Sequence, residues 1–440
     1  MKTKVLFLLV FSLALTFLNC WTLEVDEPPC MKITGFSPSG AAAGETVTIQ
    51  GINFCEGRPD LHTILIGETP VPLENIEAVP SAQTIRFRVP EGIGNGQISV
   101  ALRTAPLCGA AKSTDPFYYY YTAGLVSKVV GNPPPATCTG DLCLKSPKGI
   151  DLDRDGNIWV ADYGNHVVRQ YKNTGSFIRR TGRFGTNGGC SNDFFPDGSV
   201  APFFNPIDVA ADSSDGAFVA EQNNTLLRYI SASGSVSRVA GKCFDDGFLQ
   251  DGDCIGSGAN TAKLSVPTAL ARDGSELYFI DQGNVRKVEG NCIVRTIAAK
   301  NGEVQNAKTI RVSRALATRG PVIIADADGN AKLKSISMSG VVSNIPVSAN
   351  NLLIDPVALA VDSKGAIFVA DQSSHKIYAV YPDGQIVLFA GSQQGYSGDG
   401  VSTGLDAQFN APAGLALDES LGFLYVSDSN NNVIRKIEVK

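Results

Sequence analysis

Residues 146–182 read SPKGIDLDRDGNIWVADYGNHVVRQYKNTGSFIRRTG, and residues 355–391 read DPVALAVDSKGAIFVADQSSHKIYAVYPDGQIVLFAG. The two stretches are one unit written twice. In the second, Val357–Val361, Ile367–Ala370, Ile377–Val380 and Ile386–Phe389 are short apolar segments. Asp362-Ser363-Lys364-Gly365 and Pro382-Asp383-Gly384 lie between them and are turn chemistry. Four short strands joined by tight turns make one antiparallel sheet, which cannot bury both faces alone. Repetition supplies the missing neighbours.

Four further copies align, starting at Asn205, Val266, Ala411 and, in degenerate form, near Val312. The first strand of each copy carries a bulky residue: Ile150, Val209, Leu270, Leu316, Leu359 and Leu415. The residue before it is Gly149, Asp208, Ala269, Ala315, Ala358 and Gly414, so Asp208 alone breaks a pattern of small residues. Bulky faces set against small ones fill the space between sheets without voids. The last copy stops at Lys440 after three strands. Gly124–Gly131 resembles the fourth strand Gly234–Gly241 and precedes the first complete copy, so it is expected to complete the sixth sheet and lock a ring.

Asn165-His166-Val167 stands where NHL repeats carry Asn-His-Leu, and the six copies resemble NHL repeats over residues 124–440. That resemblance implies a six-bladed β-propeller. Upstream, Glu45–Gly51, Ile64–Gly67, Thr84–Val89 and Gln97–Leu102 alternate polar and apolar residues at short spacing, as half-buried sandwich strands do. The run ITGFSPSGAAAGETVTIQGINF, then TILIGETPV, then IRFRVPEGIGNGQISV, resembles the IPT/TIG domain, an immunoglobulin-like module, over residues 31–122. Phe117–Tyr121 is its expected last strand, with alternate rings in the core. The fold class is therefore all-β: an immunoglobulin-like β-sandwich followed by a six-bladed β-propeller closed by an N-terminal strand.

Lys2 and Lys4 precede the apolar run Val5–Phe17, which suits a secretion signal over residues 1–19 and is short for a ~30 Å bilayer core. Cys20 follows at once, and this placement resembles a bacterial lipoprotein signal. Phe17 and Asn19 depart from the strict pattern and resemble the relaxed form of spirochaetes. The expectation is lipidation at Cys20, a tether over residues 20–30, and a lipid-anchored place in the cell envelope, in the outer membrane of a diderm bacterium. The membrane is met through that lipid only.

Composition narrows the function. Charged residues are 18% against a usual ~25%, glycine and proline number 45 and 23, and the net charge is −6. No basic footprint for nucleic acid exists. Three histidines leave little room for histidine-based chemistry. His166 and His375 share one repeat position and read as structural. The acids Asp162, Glu221, Asp281, Asp326, Asp371 and Asp428 recur at the end of strand two. Acids repeated in every copy are read as acceptors of backbone N–H groups in the following turn rather than as a cation ring. Asp151–Asp162 mimics an EF-hand spacing, and calcium is the ion it would take, but the context is a hairpin rather than a helix pair. No cofactor or metal set is assigned.

Ten cysteines suit an oxidising compartment. Cys138 and Cys143 share one loop, Cys243 and Cys254 another, and Cys55 and Cys108 lie in the sandwich with Cys30 in competition. The long connections 132–146, 182–205, 242–265 and 391–411 lie between one copy's fourth strand and the next copy's first. They emerge on one face, where binding resides. The surface candidates are Phe194, Phe195, Phe244, Asp245, Asp246, Phe248 and Asp251, whereas Phe203 and Phe204 are expected to pack. The favoured function is a monomeric, non-catalytic binding or adhesion scaffold for a protein or glycan at the cell surface. The alternative is a metal-dependent, lactonase-like hydrolase or a lyase, which the six-bladed class includes.

Overall fold

The structure, a computed structural model, describes residues 30–103, 109–134, 140–185, 202–242, 249–254, 261–290, 292–300, 302–312, 322–337, 339–397, 399–400 and 403–440. It is all-β apart from short 3-10 turns, and none of the described helices is long and apolar enough to cross a membrane. The chain divides into two compact units, one up to Thr122 with Lys440, the other from Ala123 to Val439.

In the first unit, one sheet runs Lys32–Ser37, Thr46–Ile52, Thr84–Arg88, Ile76–Ser81 in spatial order. The second runs Gly40–Ala41, Ala111–Tyr119, Gly96–Leu102, His62–Ile66, Thr69–Pro70. Alternation buries one face of each strand. Val47, Ile49, Ile85 and Phe87 meet Ile64, Ile66, Ile98 and Val100 in a single core. The tyrosine run alternates as expected: Phe117 and Tyr119 are buried, Tyr118 and Tyr120 half-buried. His62 is buried, and its Nε2 accepts the Cys55 N–H at 3.1 Å.

The second unit is propeller-like. Six antiparallel sheets follow in sequence, with first strands Pro147–Leu152, Pro206–Ala211, Pro267–Asp273, Ala307–Val312, Pro356–Val361 and Pro412–Asp418. Each first strand packs beside the next, and Pro412–Asp418 packs beside Pro147–Leu152. The bulky residues Ile150, Val209, Leu270, Leu359 and Leu415 are buried between sheets. The fourth sheet differs from the sequence expectation. Its first strand is Ala307–Val312, whose Ala307 pairs with Asp326, so Thr309 and Ile310 take the places assigned to Ala315 and Leu316, which lie outside the described residues. The small–bulky–small run Ala315-Leu316-Ala317 mimics the other copies, while the true strand carries Lys308 and Arg311 and reads as polar.

The sixth sheet has the spatial order Ala123–Gly131, Val433–Val439, Phe423–Asp428, Pro412–Asp418. Its N-terminal strand takes a fourth-strand place by a detail shared with three other sheets. The residue before strand three is left-handed in His166, Thr225, His375 and Asn432, with φ of 58°, 55°, 59° and 56°. The glycine that ends strand four, Gly182, Gly241, Gly391 or Gly131, lies against that residue's carbonyl. A Cβ there would fall 3.1, 2.3, 2.9 or 2.2 Å from the oxygen.

Candidate functional site

The six recurring acids are all buried at the ends of the second strands. Directly across from each sheet's second strand, strand three presents a base in five of the six: Arg169, Arg228, Arg286, Lys334 and Arg435. Asp162–Arg169, Glu221–Arg228, Asp281–Arg286 and Asp326–Lys334 are ion pairs of 2.8, 2.9, 2.8 and 2.8 Å, and Asp428–Arg435 is 3.7 Å. Tyr378 holds that place in the fifth sheet. Burial pushes Asp162 and Asp428 up to about 6 against the pull of Arg169 and Arg435 and of neighbouring amide donors.

These pairs hold the inter-sheet connections. Asp162 accepts the Lys145 N–H at 2.8 Å, Glu221 that of Phe204 at 2.8 Å, Asp281 that of Val266 at 2.7 Å, and Asp428 that of Asn410 at 2.7 Å. The acids thus serve backbone amides, as expected. The donors come mostly from the segment entering strand one rather than from the turn after strand two. The bases take carbonyls of the same connections. Arg228 reaches Pro202 at 3.1 Å, Arg286 reaches Lys263 and Gln250, both at 2.7 Å, and Arg435 reaches Gln408 at 2.8 Å and Ser397 at 2.9 Å. Arg169 donates to the carbonyls of Asp141 and Cys143, and Lys334 to that of Glu303. Sequence reasoning missed these bases. Their signal was available, since Arg169, Arg228 and Arg435 each follow their acid at the same offset.

At the strand ends where the long connections arrive, the first strands surround a cavity of about 160 Å³. Its polar lining is Lys148, Thr268, Lys308, Thr309, Gln372 and the pair Asp208–Arg311. Asp208, the outlier of the pattern, fills the space beside Gly149, where a Cβ would fall 1.7 Å from its Oδ1. Its carboxylate accepts the N–H groups of Val209 at 2.9 Å and Leu270 at 2.8 Å and lies 3.8 Å from Arg311. Burial pushes it up to about 6, against the pull of Arg311. The Arg311 guanidinium donates to the carbonyls of Leu270, Leu415 and Ile150 at 3.0, 3.3 and 3.4 Å. Arg311 also lines a wider cavity of about 680 Å³ at the opposite strand ends, among Asp153, Arg154, Arg272, Asp273 and Glu419.

The chain carries an IPT/TIG domain and NHL repeats. The IPT/TIG domain family matches residues 31–121, and the NHL repeat family matches residues 144–171 and 409–437. NHL repeat-containing protein 2 of Bos taurus is 25% identical over 346 residues, covering 72% of this chain and 42% of that protein. SUPPRESSOR OF QUENCHING 1, a chloroplastic protein of Arabidopsis thaliana, is 25% identical over 306 residues, covering 68% of this chain and 25% of that protein. The chain therefore spans less than half the length of either relative. A structural genomics protein of unknown function from Bacteroides thetaiotaomicron shares the fold at a TM-score of 0.54 and 15% identity, over 95% of this chain and 100% of that one.

The sequence-predicted residues divide. Cys20, Cys108, Cys138, Phe194, Phe195, Cys243, Phe244, Asp245, Asp246 and Phe248 lie outside the described residues. Cys30, Cys55 and Cys143 are disulfide-bonded. Cys254 is a correction: it is a free, buried thiol beside the free Cys292, and its N–H donates to the Cys292 carbonyl at 3.0 Å. Strand pairing of Gly252–Asp253 with Ile293–Val294 brings the two together, a long-range contact that loop spacing could not reveal. Asp251 is exposed and also anchors its segment: it binds Arg286 at 3.2 Å and the Thr296 N–H and hydroxyl at 2.9 and 2.8 Å.

The calcium-like run is likewise consumed internally. Asp153 Oδ1 accepts the N–H groups of Asp155 and Asn157, and Asp151 accepts that of Ala211. Asp162 stands at the far end of the strand from them, roughly 13 Å away at ~3.3 Å per residue. Among the described residues no three His, Cys, Asp or Glu side chains group as a metal site. His166 and His375 are structural, each accepting the N–H of the next sheet's entry, Asn205 at 3.2 Å and Ala411 at 3.0 Å. Phe203 is buried beneath Arg228, and Phe204 packs on His166 at 5.7 Å.

Proposed function

We propose that the protein is a non-catalytic binding scaffold of the cell envelope, held by lipid on Cys20. In this reading the six sheets close as a six-bladed propeller whose connection-rich face meets a protein or glycan. The observation that carries it is the repeated acid–base pair. Five buried bases hold the backbone of the connections, and a loop fixed at its base presents its tip with little ordering cost on binding. The metal-dependent hydrolase or lyase alternative fits less well, because Lys148, Lys308 and Arg311 at the channel mouth repel a cation.

The test uses the full chain on glycan arrays and immobilised extracellular-matrix proteins. Replacing residues 244–248 by a Gly-Ser segment of equal length, with Asp251 kept, is expected to abolish binding at an unchanged melting temperature. Normal binding by that variant refutes the surface. For the anchor, wild-type protein should partition into detergent and Cys20→Ala into water, and identical partitioning removes the lipid from the scheme.

A further inference from the structure

We propose that the cavity at the channel mouth binds a small oxyanion-bearing molecule, a carboxylate or a phosphate ester, clamped between Lys148 and Lys308. The proposal deepens the scaffold reading and rests on the first strands surrounding one channel.

Three observations lead to it. The first is charge. The cavity is lined by three cations and one anion, and the anion is already matched, because Asp208 lies 3.8 Å from Arg311 and takes two backbone N–H groups. Arg311 in turn spends its donors on four carbonyls, so the pair forms a neutral floor. Lys148 and Lys308 are left above it. Among the described residues neither ammonium forms an ion pair. Lys148 is half-buried, and loss of hydration holds its ammonium below the ordinary lysine range with no carboxylate to offset the cost. A bound anion removes that cost.

The second is placement. In the circuit of first strands, Ala307–Val312 stands three places from Pro147–Leu152 in either direction. Lys148 and Lys308, each second in its strand, therefore sit on opposite walls, Lys148 half-buried and Lys308 exposed. Two cations on opposite walls of one cavity suit a ligand with negative charge at both ends better than a single charge.

The third is size and lining. A volume of about 160 Å³ holds about five waters, the scale of a short dicarboxylate rather than a peptide. Thr268, Thr309 and Gln372 add neutral hydrogen-bonding groups around the same space. The connections that form the proposed contact face arrive at this mouth, so an occupied channel would present its outer end to a partner docked on that face.

The experiment is calorimetric titration of the full chain with L-malate, citrate, acetate, glucose 6-phosphate and inorganic phosphate at low ionic strength. Malate or citrate is expected to saturate one site per chain more tightly than acetate. The phosphate probes separate a phosphate ligand from a carboxylate one. Lys148→Gln and Lys308→Gln should each weaken the best probe at least tenfold, and Lys148→Arg should retain most of the affinity. Arg272→Gln, at the opposite cavity, should change it less than twofold. Unaltered melting temperatures separate loss of the site from loss of the fold. No saturable binding of any probe overturns the proposal, as does an equal loss in Arg272→Gln. A loss confined to one lysine overturns the two-sided clamp and leaves the scaffold reading standing. Failure of partner binding with anion binding intact does the reverse.

Discussion

At the residue scale, the repeated acids show burial and pairing in opposition. A buried pair costs desolvation and returns it only with good geometry. Asp428 has the widest separation of the five pairs, 3.7 Å from Arg435, and Asp399 stands nearby as a like charge. Burial therefore dominates, and its carboxyl is pushed up to about 6 from 3.8. The sign follows. Between about pH 4 and 6 the folded chain holds a proton that the unfolded chain has released, so this contribution to stability is present below pH 4 and lost as pH rises through 6. Asp428→Asn keeps the acceptor for the Asn410 N–H and removes the titration. Its stability relative to wild type should rise between pH 4 and 7, by roughly 3 kcal/mol at most. Urea melts across that range check it, and a pH-independent difference would show that Arg435 keeps Asp428 ionised throughout.

Single residues also mark where sequence fell short. The acids were visible because they recur at strand ends beside turns. Their bases were missed despite the constant offset of Arg169, Arg228 and Arg435, because an arginine inside a strand reads as solvent-facing until the connection covering it is seen. Asp208 had no explanation along the chain, since its partners Leu270 and Arg311 lie on two other sheets.

At the element scale, the sixth sheet, and with it the proposed closure, depends on the strand Ala123–Gly131 lying along Val433–Val439. Its end is fixed by Gly131, at φ +100° with the Asn432 carbonyl where a Cβ would stand. Gly340 is the natural control: its φ is +86°, but the nearest atom to a Cβ is 3.8 Å away. Gly340→Ala should cost about 1 kcal/mol for the left-handed backbone alone. Gly131→Ala should cost at least about 2 kcal/mol more, because backbone has to move or the strand has to part. Equal losses in thermal melts would mean that this strand end yields freely. The strand was legible because Gly124–Gly131 copies the fourth-strand pattern of Gly234–Gly241. The fourth sheet was not, because Ala307–Val312 lacks the proline that opens the other first strands and carries two cations toward the channel mouth. An apolar pattern cannot find a strand whose residues serve a polar channel.

At the scale of the whole second unit, sequence-adjacent sheets are joined by chain and by packing, whereas among the described residues sheets farther apart meet through what their first strands place around the shared cavity. Arg311 is that link. From the fourth sheet it bonds to carbonyls of the first, third and sixth, and it faces Asp208 of the second. Removing the guanidinium leaves Asp208 buried beside two amides with its charge unmatched. Arg311→Met keeps the stem and loses these bonds, and should destabilise the unit by about 3–5 kcal/mol, the usual cost of breaking a buried pair from one side. Asp208→Asn should recover part of that loss in the Arg311→Met background while destabilising the wild type, because the amide needs no counter-charge. The carbonyls of Ile150 and Leu415 would still lack their donor, so recovery should stop short of complete. Urea denaturation of the four proteins in a double-mutant cycle measures the coupling. Additive losses would mean that Asp208 and Arg311 act separately, with Asp208 held by its backbone donors alone and Arg311 acting only through carbonyls.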